Sequence, residues 1–113
     1  MDLYEQIQRL MNELTASIKL LRKNGENLAA AEQDYKVTLR QEALKLRAGD
    51  MPVTLINQVI YGVPEVAEKR FKRDVEQANY DANREHINVT KLKLRILENQ
   101  LAREWGHAGG GDL

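Results

Sequence analysis

The chain has 113 residues, with 17 Lys and Arg against 17 Asp and Glu, no cysteine and 5% aromatics. That length fits one domain, and the missing cysteines exclude a disulfide scaffold or a zinc–thiolate site. The zero net charge excludes nucleic-acid binding driven by bulk basicity, and no apolar run nears the ~18 residues of a membrane span.

The first residues carry Asp2 and Glu5 and no basic segment, so they do not read as a signal peptide. Proline costs roughly 3 kcal/mol inside a helix. The only two prolines are Pro52 and Pro64, which leaves long helix-forming stretches on either side. The expected fold is all-α. It is a long antiparallel two-helix hairpin, coiled-coil-like, with a short helix at the tip, completed by oligomerisation. The expected boundaries are a helix over 2–48, a tip over 49–63 and a helix over 64–105. Together they form one domain over 1–106, followed by a flexible tail over 107–113.

In the first helix Leu3, Ile7, Leu10, Leu14, Leu21, Leu28, Ala31 and Tyr35 share a heptad frame, with Ser17 on the same seam. Tyr4, Met11, Ile18, Leu39 and Leu46 form a neighbouring stripe. Asn24-Gly25 resembles a helix stop, but the frame keeps its phase through it. One helix with a soft spot at Gly25 is therefore predicted. Gly49-Asp50 ends it.

In the tip, Leu55, Ile56, Val59 and Ile60 fit a short helix stopped by Gly62 and capped by Thr54 or Asp50. The tip residues Val53, Leu55, Ile56, Val59 and Ile60 are expected to fold back on the helices or to contact a neighbouring subunit.

Pro64 suits the first position of the next helix, and Glu65 and Glu68 suit its positive end. This helix carries two stripes. One is Ala67, Phe71, Val75, Ala78, Ala82, Val89, Leu92 and Ile96. The other is Tyr80, Ile87, Leu94, Leu97, Leu101 and Trp105. Gly106 is the expected stop.

Two stripes on each helix exceed what a two-stranded seam needs. A homodimeric four-helix bundle is the first expectation, a higher oligomer or a host or phage protein partner the next. The interface is expected at Leu3, Tyr4, Ile7, Met11, Ile18, Leu94, Leu97, Leu101 and Trp105. Pairing centred near Ile56 would set Trp105 against Ile7 and Tyr4, and Glu42 near Arg70 or Arg73. The same register sets Asn24, Gly25 and Asn27 near Glu85 and Asn88, as a polar layer that fixes alignment.

No catalytic or metal constellation is legible, so no enzyme and no cofactor are expected. His86 and His107 are the only histidines, without the Glu-x-x-His pairs of a di-iron bundle. Neither a Gly-x-Ser-x-Gly turn nor a phosphate-binding loop occurs. The basic residues Arg40, Arg47, Lys69, Arg70, Lys72 and Arg73 are the candidates for binding nucleic acid or a small anionic nucleotide. Ordinary pairing of Glu65 with Lys69 and Glu68 with Lys72 competes with that use.

Three runs resemble a group of small helical phage and prophage proteins of Gram-positive bacteria. They are Leu46-Arg47-Ala48-Gly49-Asp50-Met51-Pro52-Val53-Thr54-Leu55-Ile56, Val66-Ala67-Glu68-Lys69-Arg70-Phe71-Lys72-Arg73-Asp74-Val75 and Ile87-Asn88-Val89-Thr90-Lys91-Leu92-Lys93-Leu94-Arg95. Arg103-Glu104-Trp105 adds to the likeness. The resemblance implies a place among early replication and recombination genes, and hence the bacterial host cytoplasm. It implies no activity and no catalytic residue. The resulting expectation is a protein–protein adaptor or inhibitor. The alternatives are an accessory DNA-binding protein and a sponge for a small anionic nucleotide signal.

Overall fold

The computed structural model describes residues 1–110, with side-chain surroundings described through 106. It is an all-α helical hairpin. Helix α1 spans Leu3–Ala48, α2 spans Val53–Val59, a 3-10 turn spans Ile60–Gly62, and α3 spans Pro64–Gly110. Helix α1 runs unbroken through Gly25. A lone glycine lowers helix propensity by about 1 kcal/mol without removing a hydrogen bond. The same reasoning explains why α3 does not stop at Gly106. Of the tail expected over 107–113, the part to Gly110 is helical, and 111–113 lie outside the described residues.

The helix ends have local causes. At the start of α1 the Glu5 amide donates to Asp2 Oδ1 at 2.7 Å, an N-cap the sequence reading did not assign. At its end the Met51 amide donates to Leu46 O, and the Asp50 amide to Arg47 O. That pair of bonds is a Schellman motif. The residue with positive φ is Asp50, at 65°, and not the adjacent Gly49. Helix α2 begins after Pro52 with no side-chain cap. Neither Thr54 nor Asp50 serves it, because the amides of Leu55 and Ile56 reach Pro52 O instead.

The chain divides into two compact units. The terminal unit joins Met1–Arg22 to Ala82–Leu113, and the tip unit is Lys23–Asp81. In the terminal unit Ile87 and Leu94 are buried. Leu3, Ile7, Leu10, Leu14, Leu97 and Leu101 are half-buried on the same heptad frames. Ser17 is buried too, as its place on the seam predicts. Asn83 Nδ2 donates to Ser17 O at 3.1 Å, tying the two helix segments together.

In the tip unit Tyr35, Ile56, Ile60 and Val66 form one buried cluster. Leu39, Ala43, Leu46, Met51 and Val63 pack around it. Ile56 and Ile60 thus fold back onto the helices, while Val53, Leu55 and Val59 stay exposed.

The register differs from the sequence expectation. In the tip unit Asp34 faces Lys69, Glu32 faces Arg73 and Gly25 faces Tyr80. These pairs centre the turn near Pro52 and not near Ile56. The physical reason lies in the tip. Helix α2 and the 3-10 turn cover the last turns of α1, so α3 begins alongside an earlier part of that helix.

Three expected neighbourhoods therefore change. Glu42 pairs with Lys45 on its own helix at 3.0 Å, not with Arg70 or Arg73. Asn27 shares a groove with Lys72 and Glu76, not with Glu85 or Asn88. Trp105 is 74% exposed, so it does not close the open end as a buried aromatic beside Ile7 and Tyr4. With Leu97 lying beside Gln6 and Leu10, α3 reaches Trp105 beyond the first turn of α1. The polar layer exists, but at Ser17 and Asn83.

Candidate interaction surfaces

Burial sorts the sequence stripes by role. On α3 the buried and half-buried frame is Val66, Lys69, Arg73, Glu76, Tyr80, Asn83, Ile87, Thr90, Leu94, Leu97 and Leu101. Leu94 and its stripe therefore form the seam within the hairpin. Leu94 is only 5% exposed and has no surface to offer a partner. Leu3, Ile7, Leu97 and Leu101 belong to the same seam, half-buried.

The exposed stripe is the other one. Phe71 and Val75 in the tip unit, and Val89, Leu92 and Ile96 in the terminal unit, all point to solvent. At 100° per residue these positions fall on the side of α3 away from its seam. On α1 the flanking stripe Tyr4, Met11 and Ile18 is exposed as well.

The α3 seam in the tip unit carries charge where the terminal unit carries leucine. Lys69 Nζ lies 2.8 Å from Asp34 Oδ2 across the helices, so its partner is not Glu65. That contact, first through its hydrogen bond and then through its charge, raises the Lys69 pKa above the usual lysine value. Arg73 lies 3.7 Å from Glu32 and 2.8 Å from Asp74. Its guanidinium also stacks 4.6 Å over the Tyr35 ring. The hydrogen bond to Asp74 is the main cause raising its pKa. Stacking on Tyr35 lets the charged seam adjoin the apolar cluster, because an arginine plane packs well on an aromatic face.

The six basic candidates separate accordingly. Lys69 and Arg73 are held by carboxylates. Arg70 stacks 5.3 Å from the Tyr61 centroid, and Arg47 donates to Met51 O at 3.1 Å. Arg40 and Lys72 are exposed. Arg40 borders a groove of about 490 Å³ formed by α1 and the tip. Sequence reasoning did not find this groove, since its walls meet only once the tip folds back.

Among the described residues no group of three or more His, Asp or Glu could hold a metal. Nor is any described helix long and apolar enough to cross a membrane. No protein-family model, no curated protein and no solved structure matches the chain.

Proposed function

We propose that this chain is an interaction protein of phage or prophage type. It works as an oligomer of helical hairpins and holds or blocks a protein partner through exposed helix faces. The observation that carries this reading is the exposure of large apolar residues on α3, Phe71 and Val75 in the tip unit and Val89, Leu92 and Ile96 in the terminal unit, with Phe71 71% exposed. Seventeen large apolar side chains are exposed and seven apolar residues are buried among those described. A single hairpin therefore leaves many large apolar side chains wet.

The phage context rests on the sequence resemblance alone.

Phe71→Glu and Leu92→Glu test the proposal. Both positions are exposed, so helicity by circular dichroism should stay unchanged. Light scattering should then show a multimer for the wild type and a smaller species for the variants. A monomeric wild type, or variants with unchanged mass, would sink the reading.

The second reading, an accessory DNA-binding protein, is favoured by the exposure of Arg40 and Lys72. The carboxylate partners of Lys69 and Arg73 weigh against it. A gel shift that weakens steeply with salt would promote it.

A further inference from the structure

The groove between α1 and the tip has walls of one charge sign. Its floor is apolar, with Leu39 and Ala43 from α1. Ile56 and Ile60 from the tip are buried core residues behind that floor, while Leu39 and Ala43 are half-buried and Val37 beside them is exposed. Lys36 and Arg40, one turn apart on α1, line it together with Asn57 and Tyr61. The Arg70 guanidinium stands 5.3 Å from the ring centroid of Tyr61. No Asp or Glu lines the groove, although the chain as a whole is neutral.

Lys36 is partly engaged, with Glu32 at 3.4 Å. Arg40 has Lys36, Val37, Ala43 and Leu44 at the positions one turn away. No carboxylate on its own helix is therefore within the usual pairing distance.

We propose that this groove binds a small amphipathic anion. Its apolar body lies against Val37, Leu39 and Ala43, and a single carboxylate, sulfonate or phosphate meets Arg40. A volume of about 490 Å³ falls in the range of small-molecule sites, which are mostly apolar with a few placed polar groups. A guanidinium takes a carboxylate or phosphate in a two-pronged contact that a lysine cannot reproduce. A neutral hydrocarbon would leave the Arg40 charge unmatched. An inorganic anion would leave the apolar floor uncovered.

Dansyl-undecanoate is a suitable probe, with its methyl ester as the neutral comparison, titrated by fluorescence against the full chain. The acid should bind one per chain, and the ester about tenfold more weakly. Arg40→Gln should weaken the acid by about tenfold. Val37→Glu, which adds a carboxylate at an exposed position lining the groove, should do at least as much. Lys93→Gln, in the terminal unit, should leave binding unchanged. Circular dichroism of each variant should match the wild type, since all three positions are exposed. Equal binding of acid and ester, or full binding by both Arg40→Gln and Val37→Glu, would overturn the proposal. So would probe affinity that falls as chain concentration rises, because a second copy would then fill the groove.

Discussion

The terminal unit and the tip unit use the same two helices and the same heptad frame, yet they close their seams by different means. In the terminal unit the frame positions of α3 are Ile87, Thr90, Leu94, Leu97 and Leu101, and one buried amide, Asn83, bridges to Ser17 O. In the tip unit the frame positions after Val66 are Lys69, Arg73, Glu76 and Tyr80, and the helices meet through ion pairs. Hydrophobic burial there moves to a separate cluster built by Ile56 and Ile60. Exposed ion pairs contribute about 0–1 kcal/mol, whereas a buried aliphatic side chain contributes roughly 1.5–3 kcal/mol. The tip cluster, and not the charged seam, should therefore hold the tip unit together.

The largest expected effect tests that ranking. Ile60→Ala should cost about 3 kcal/mol, read as a lower urea midpoint. Next is Asn83→Asp, which sets a carboxylate against the Ser17 carbonyl. It should cost about 2 kcal/mol near neutrality. Burial and the facing carbonyl raise the pKa of such a carboxyl, so the folded state takes up a proton first. The loss should shrink as pH falls, in a series of melts across the acidic range.

Gly25→Ala should act in the other direction. An added Cβ would sit 3.5 Å from Tyr80 Cε2, an ordinary contact. The gain should be up to about 1 kcal/mol in thermal unfolding, through helix propensity. Smallest is Asp34→Asn, which removes the partner of a solvent-screened lysine. Because Asp34 raises the Lys69 pKa, the pair's contribution is present below the ordinary lysine value. It is lost as pH rises through the higher folded value. Wild-type melting should therefore decline at alkaline pH more steeply than that of Asp34→Asn. An Asp34→Asn cost larger than that of Ile60→Ala would reverse the comparison.

The helical hairpin was legible in the sequence because proline placement and the heptad of Leu3, Ile7, Leu10 and Leu14 allow little else. Pro64 as a helix start and Ile56 and Ile60 as inward tip residues were legible for the same reason. The roles of the α3 stripes were not. In the tip half of α3 Phe71 and Val75 are more apolar than the seam residues Lys69, Arg73 and Glu76, so composition makes them look like core. The seam through Lys69 and Arg73 becomes favourable only when Asp34 and Glu32 of α1 stand opposite. That is a pairing of distant residues which periodicity within one helix does not contain. The register slipped for a related reason, because the length of α1 covered by the tip depends on how α2 folds back. The groove at Arg40 is a product of that same folding.

The central claim is that the exposed face of α3 is built for another chain. Native mass spectrometry of the full chain, purified from a bacterial lysate without refolding, tests it most directly. The account predicts a discrete multimer at micromolar concentration, lost in Phe71→Glu. A monomer at every concentration, for wild type and variant alike, would contradict it.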